Sequence, residues 1–319
     1  MVAYSNPVRQ HLFNFEDCGG GTKKAPAAAE ALRRIYPGVD ASGHVLSIPM
    51  PGHAVGAAEA QQVAADVEQL TELVRSHDVI YLLTDTRESR WLPTLLATAA
   101  RKLTITVALG FDSLVVMRHG LPPAEGAAPE PEGRCSRLGC YFCNDVRARR
   151  RTHARSRPPD ALSDLPGASR SQVVAPANSM LKRTLDQQCT VSRPGLSMMA
   201  SAMAVELMVT LLHHPHGGAA SADAGDDVGA SPLGCVPHQI RSALSSFRTD
   251  CMLGRAFERC TACSRTVVDA FEERGLDFLM TAFNRATYLE DLTGLTQMHA
   301  ETEAALEDCV GFSDDEEDF

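Results

Sequence analysis

Val79-Ile80-Tyr81-Leu82-Leu83-Thr84-Asp85 is a continuous apolar run that stops abruptly at two polar residues. Such a run reads as a strand buried on both faces, the habit of parallel sheets. Open α/β sheets place ligands beyond the carboxyl ends of their strands, so Thr84-Asp85 is a candidate site edge. Upstream, Ala58 to His77 repeats apolar residues at Val63, Val67, Leu70 and Leu73-Val74, a helical stripe that core burial explains. Ala25 to Tyr36, with Leu32 and Ile35 on one face, predicts a helix that ends near Pro37-Gly38, and Val45 to Ile48 reads as a short strand. Downstream come a helix over Leu92 to Lys102, then strands over Thr104 to Leu109 and Ser113 to Met117 around Gly110-Phe111-Asp112. Strand and helix in alternation predict an α/β, doubly wound sheet.

The remaining segments divide by composition. Leu121 to Gly133, rich in Pro, Ala and Glu, reads as a loop. Gly217 to Pro232 lacks periodicity and reads as disordered, with order returning near Leu233-Gly234. A long apolar helix is expected over Leu196 to Leu212, and a helical part from Pro237 to Leu306. The expected organisation is one domain over 1–306 followed by a flexible acidic tail over 307–319.

At 319 residues and 44% apolar content, the chain can bury a sizeable core in one large domain or two ordinary ones. A net charge of −10 and a pI near 5.6 argue against a nucleic-acid surface. No apolar run is expected to reach the length of a membrane span, and the N-terminus lacks a basic-then-apolar signal. Ten cysteines in a chain this long are too sparse for a disulfide scaffold. Two of the cysteine groups are Cys-x-x-Cys pairs, which favour a reducing, metal-using compartment and a cytosolic or nuclear location.

Thr184-Leu185-Asp186-Gln187-Gln188-Cys189-Thr190-Val191-Ser192-Arg193-Pro194-Gly195 places one thiol just ahead of the long apolar helix. Proline fits the first helical turn, where its missing N–H costs nothing. A cysteine there is exposed to free N–H groups, the positive end of the helix dipole and Arg193, all of which favour the nucleophilic thiolate. A buried, inert cysteine is the alternative on the residues alone. Cys140-x-x-Cys143 and Cys260-x-x-Cys263 supply the four thiolates of a closed tetrahedral zinc site, although single Cys-x-x-Cys motifs also serve as redox pairs. Cys18, Cys135, Cys235, Cys251 and Cys309 have no evident partner, and burial is their default.

The segment around Cys189 closely resembles the active-site cysteine segment of the autophagy-related 7 family, the ubiquitin-like modifier-activating enzymes of autophagy. The resemblance extends to Tyr4-Ser5-Asn6-Pro7-Val8-Arg9-Gln10, Asp85-Thr86-Arg87-Glu88-Ser89-Arg90-Trp91-Leu92-Pro93 and Ala108-Leu109-Gly110-Phe111-Asp112-Ser113. It continues through Leu138-Gly139-Cys140-Tyr141-Phe142-Cys143-Asn144-Asp145 and Pro237-His238-Gln239-Ile240-Arg241. It implies a Rossmann-like adenylation fold of the ThiF or MoeB type. The modifier's C-terminal glycine would be adenylated with ATP and Mg²⁺, then held as a thioester on Cys189. By the same resemblance Asn6 and Arg9 contact ATP phosphates or sugar, and Gln10 supports them. Lys24 neutralises phosphate, in a register blurred by Lys23. Asp85 holds Mg²⁺, Arg90 is a phosphate or supporting group, and the four paired cysteines hold structural Zn²⁺. On the residues alone, Arg9 and Lys24 read equally as solvated surface, and Asp85 as a helix N-cap.

Implied partners are autophagy-related proteins 8 and 12 as modifiers, autophagy-related proteins 3 and 10 as conjugating enzymes, and a second copy of the chain. The implied location is the cytoplasm and the preautophagosomal structure. Aromatic Phe312 and Phe319 bracket the acidic tail, which reads either as a solvating run or as a modifier-binding segment. Two departures from the family stand out. Gly19-Gly20-Gly21-Thr22-Lys23-Lys24 fits neither G-x-G-x-x-G nor a P-loop, so the first Gly-rich unit is missing and an N-terminally truncated, inactive binding module is the alternative. Val146 to Gln172, dense in Arg, Pro and Ser, interrupts the family's sequence and reads as translated intron or a lineage-specific loop without chemistry, with a basic docking loop as the rival. A bacterial-type sulfur-carrier adenylyltransferase shares the fold, but Gln188-Cys189-Thr190 and the acidic tail argue against it.

Overall fold

The structure, a computed structural model, describes residues 1–122, 137–144, 192–222 and 233–301. Val146 to Gln172, the acidic tail, and the greater part of the loop from Leu121 lie outside the described residues.

The opening apolar run forms β1 (Val79–Leu82), which pairs in parallel with β2 (Leu103–Leu109), Val79 opposite Leu103 and Leu82 opposite Thr106. Between them runs α3 (Arg87–Ala99), preceded along the chain by α1 (Lys24–Ile35) and α2 (Ala60–Ser76). α3 begins at Arg87 rather than at the expected Leu92. The cause is Thr86, whose Oγ1 accepts the Ser89 N–H at 3.3 Å while the Ser89 hydroxyl donates to the Thr86 carbonyl at 2.8 Å. Pro93 therefore lies inside the helix, at a cost of about 3 kcal/mol in an isolated helix. Trp91, Leu92, Leu95 and Leu96 are all buried beside it. At about 1.5–3 kcal/mol for each buried side chain, packing outweighs the proline.

Beyond β2 the sheet turns antiparallel. β3 (Ser113–Arg118) pairs with β2, β4 (Gln239–Ala243) with β3, and β5 (Arg248–Met252) with β4, giving the order β1-β2-β3-β4-β5. The α/β class is therefore seen, in a mixed sheet. The part expected to be helical from Pro237 opens instead with the β4–β5 hairpin. Its first strand, Gln-Ile-Arg-Ser-Ala, has a single large apolar residue, and pairing along β3 makes it a strand where periodicity could not. Helices follow as expected: α5 (Arg265–Arg274), α6 (Leu276–Asn284) and α7 (Tyr288–Thr293).

Successive side chains point to opposite faces of a strand, so β1 sorts the layers. Tyr81 joins Ile105, Val107, Leu114 and Val116 on one face, where α4 (Pro194–His213) lays down Leu196, Ala200, Ala204, Leu207 and Leu211. Ile80 points the other way, into a cluster of α2, α3, α5 and α6 built around Trp91, Leu92, Leu95, Val267 and Phe278. Helices thus cover both faces.

Three expectations fail for tertiary reasons. Val45 to Ile48 forms no strand and belongs to no ladder among the described residues; the Ser47 N–H instead donates to Asp66 Oδ2 at 3.1 Å. Gly217 to Pro232 is not wholly without structure, because Gly217–Ala219 forms a 3-10 turn. The fully buried Arg118 donates to the carbonyls of Gly218, Ser221, Val236 and Pro237, tying the start of this segment and the chain just before β4 to β3. The part of the segment from 223 to 232 lies outside the described residues. Finally, α4 spans 20 residues and is long and apolar enough to cross a membrane, contrary to the expectation from sequence. One face is bound to the sheet, while Met198, Val205 and Leu212 remain exposed.

Trp91 anchors the second layer, with Phe278 at 6.3 Å and Phe283 at 6.4 Å between ring centroids. Trp91→Ala is expected to cost about 3–5 kcal/mol in urea unfolding followed by circular dichroism, and a loss below about 1 kcal/mol contradicts this packing.

Candidate functional site

Because β1 and β2 are parallel, their carboxyl ends lie at one edge of the sheet. Asp85 stands exposed just past β1. It does not cap α3, since Thr86 does, so the N-cap alternative for Asp85 falls. Arg90 is buried beneath this edge and donates to the carbonyls of Leu82 at 3.4 Å and Val107 at 3.1 Å. Its guanidinium lies 4.9 Å from the Tyr141 ring centre. Burial pulls the Arg90 pKa down, opposed by the charges of Tyr141 and Asp85. Arg90 thus links the ends of β1 and β2 through these two carbonyls.

The N-terminal loop comes to the same region through α4. The Asn6 side chain accepts the Ala3 N–H at 2.8 Å, and the Asn6 carbonyl accepts the N–H groups of Arg9 and Gln10. Asn6 is buried and organises the turn that presents half-buried Arg9 and Gln10. A backbone bond from Val2 to Thr22 joins this turn to Gly19-Gly20-Gly21. Lys24, exposed, opens α1 directly after it. The Ser197 hydroxyl of α4 donates to the Arg9 carbonyl at 2.9 Å, and the Arg193 N–H donates to the Phe111 carbonyl at 2.9 Å. One helix start therefore meets both the Arg9 turn and the turn at the end of β2. Cys189, three residues before Ser192, lies outside the described residues.

The four paired cysteines converge. Their sulfurs lie within 4.8 Å of one another, all buried and none in a disulfide. Separations are 3.8 Å for Cys140–Cys143, 3.7 Å for Cys140–Cys260 and 3.4 Å for Cys143–Cys263. A tetrahedron with Zn–S bonds of about 2.3 Å has an edge of about 3.8 Å, so the cage fits zinc. Two donors already point at sulfur: the Phe257 N–H to Cys143 at 3.3 Å, and Arg137 to Cys263 at 3.6 Å. Burial raises the Cys140 pKa, whereas hydrogen bonds from Cys140, Cys143 and Cys260 pull Cys263 down. Four thiolates this close repel strongly, and a divalent cation offsets that repulsion. The Trp91 indole N–H donates to the Thr261 carbonyl at 2.8 Å, fixing the second cysteine pair to α3.

Arg137, the Phe257 N–H and Trp91 were not read as parts of the sulfur site from sequence. A lone arginine and a backbone amide carry no spacing signal, and a buried tryptophan reads as core. Of the unpaired cysteines, Cys18 is half-buried, while Cys235 and Cys251 are exposed, contrary to the default. They lie in a loop and in the edge strand β5, where burial habits do not hold. Cys135 and Cys309 lie outside the described residues.

The sequence pattern of the ThiF family matches residues 1–224. The ubiquitin-like modifier-activating enzyme ATG7 of Rattus norvegicus is 51% identical, over 95% of this chain and 43% of its own length. The Homo sapiens enzyme of that name is 49% identical, over 99% of this chain and 44% of its own. That of Dictyostelium discoideum is 44% identical, over 93% and 40%. The chain spans less than half the length of these curated relatives.

Cys260→Ser is expected to lower zinc content from about one ion per chain, measured by metal analysis. Chelation of the wild type should shift the emission of Trp91, the single tryptophan, to the red as the bond to Thr261 loosens. Equal zinc in both proteins contradicts the assignment.

Proposed function

The chain belongs to the ATG7 family of ubiquitin-like modifier-activating enzymes, built on the ThiF fold, and on that premise we propose that it carries the adenylating and thioester-forming centre of such an enzyme. The supporting observation is the double contact of the α4 start, through Arg193 to Phe111 and through Ser197 to Arg9. Cys189 precedes Arg193 by four residues, and four residues of chain reach at most about 14 Å.

The modifier's C-terminal carboxylate attacks the α-phosphorus of ATP, and pyrophosphate leaves. Arg9 and Lys24 offset the negative charge of phosphate, within a turn built by Asn6 and supported by Gln10. Asp85, exposed at its strand end, is the proposed Mg²⁺ ligand, and a Mg²⁺ held there would supply positive charge against the phosphates. The Cys189 thiolate then attacks the acyl carbon, the bond to AMP breaks, and a thioester remains. A conjugating enzyme's cysteine takes the acyl group in turn.

The proposed modifiers are autophagy-related proteins 8 and 12, and the proposed conjugating enzymes are autophagy-related proteins 3 and 10. A cytoplasmic setting, at the preautophagosomal structure, is proposed with them and suits the free thiols on the surface. A homodimer is also proposed; the exposed Met198, Val205 and Leu212 on α4 support it, as apolar stripes of this kind favour burial.

A second reading, a modifier-binding module without adenylation, is favoured by one fact: the sequence contains no G-x-G-x-x-G phosphate loop. Pyrophosphate exchange on this chain separates the two, since exchange supports the enzyme and modifier binding without exchange supports the module. With nucleotide and modifier, this chain should show a thiol-labile adduct on a non-reducing gel that Cys189→Ser abolishes. An identical adduct on the serine variant contradicts the role of Cys189. Val205→Asp should convert a dimer to a monomer in analytical ultracentrifugation, and an unchanged dimer removes α4 from the interface.

A further inference from the structure

The two arms that carry the cysteine pairs run antiparallel. Leu138 bridges Arg255, the Ala256 N–H donates to the Arg137 carbonyl at 2.8 Å, and the Gly139 N–H donates to the Gly254 carbonyl at 3.0 Å. In a regular hydrogen-bonded antiparallel pair, the Gly254 N–H returns to the Gly139 carbonyl. Here an imidazole stands between them. The Gly254 N–H donates to His238 Nδ1 at 2.9 Å, and His238 Nε2 lies 2.9 Å from the Gly139 carbonyl. An N–H can only donate, so Nδ1 is the acceptor and the ring proton sits on Nε2, which donates to Gly139. Both neighbours thus dictate a single neutral tautomer. His238 is almost wholly buried, its carbonyl accepts the Arg118 N–H at 3.1 Å, and it directly precedes β4.

We propose that His238 is a positioning residue for the metal site, a rigid spacer inserted on one side of the ribbon that sets how far the Gly139–Gly254 pair opens there and couples both cysteine-bearing arms to the sheet. One backbone bond, from the Gly139 N–H to the Gly254 carbonyl, is made directly, so the ring wedges this pair open only on the side where the Gly254 N–H faces the Gly139 carbonyl. Cys140 immediately follows one contact, and the second cysteine pair follows the other along its arm. The spacer therefore fixes the two Cys-x-x-Cys pairs at tetrahedral reach. Close by, a Cβ on Gly120 would lie 2.1 Å from the Leu138 carbonyl, so the end of β3 also leaves the first arm no room to move inward.

The proposal rests on reading the four sulfurs as a zinc site, and metal analysis of the wild type checks that reading first. A wild type without zinc overturns both. In the full chain, transfer of zinc to a chromophoric chelator at neutral pH is then compared between wild type, His238→Ala and His238→Gln. The glutamine amide carries an acceptor and a donor on one carbon, as the ring carries its two nitrogens. His238→Ala is expected to release zinc about 10–100-fold more readily, the usual effect of losing an outer-shell partner, and His238→Gln to stay near the wild type. Nitrogen-15 NMR of the wild-type imidazole should show the proton on Nε2, a readout that survives even if His238→Ala fails to fold. Unchanged zinc release in folded His238→Ala, a glutamine variant as impaired as alanine, or a proton on Nδ1 each overturns the proposal.

Discussion

Four sulfurs gathered within 4.8 Å, from segments 120 residues apart in sequence, are the constraint on which the second layer depends. Closing a loop of that length costs about 4 kcal/mol beyond a constant, by the logarithmic dependence of chain entropy on length. A structural zinc ion contributes about 10–16 kcal/mol, enough to offset that closure and the repulsion among thiolates. Without a cation, burial favours the neutral thiol, as the raised pKa of Cys140 shows, and the cluster lacks the attraction that would hold its two arms together. The surrounding donors at Phe257 and Arg137 suit charged sulfur, and their geometry is therefore part of the same constraint.

From the sulfur cage the constraint passes to the sheet edge through identifiable contacts. Trp91 bonds Thr261, between the second pair of cysteines, and Trp91 belongs to α3. The same helix is capped by Thr86, beside Asp85, and carries Arg90 beneath the ends of β1 and β2. Tyr141, inside the first cysteine pair, lies over Arg90. The cage thus fixes the helix that presents the strand-end aspartate, although the cage takes no part in the chemistry proposed there. On the opposite face α4 works independently: its buried stripe holds it to the sheet, and its first turn is aimed at the Arg9 turn and at Phe111. The chemistry proposed for the chain sits where these two supports meet.

Some features were legible in the linear chain because they are local. Apolar runs of strand length, the stripe of α2, the proline at the start of α4 and the two Cys-x-x-Cys pairs each carry their signal within a few residues. Wording specific to a family located Asn6, Arg9, Gln10, Lys24, Asp85 and Arg90, and the sequence comparisons place the chain in that family over nearly its whole length. What stayed hidden is long-range. Gln239–Ala243 is a strand because β3 offers a partner, and Val45 to Ile48 joins no ladder because none is offered among the described residues. Arg90 carries a charge that suggests a ligand, and no sequence signal shows that Nη1 and Nη2 each donate to a strand carbonyl.

By itself, then, the sequence determined the layer class and the two cysteine pairs that could hold a metal, since each depends on residue type at short spacing. Tertiary structure alone decided the antiparallel half of the sheet, the duty of Arg90 and the place of His238 between two glycines. Those depend on which backbone groups meet after distant segments pack, and a hydrogen bond between residues a hundred positions apart leaves no periodicity in the chain.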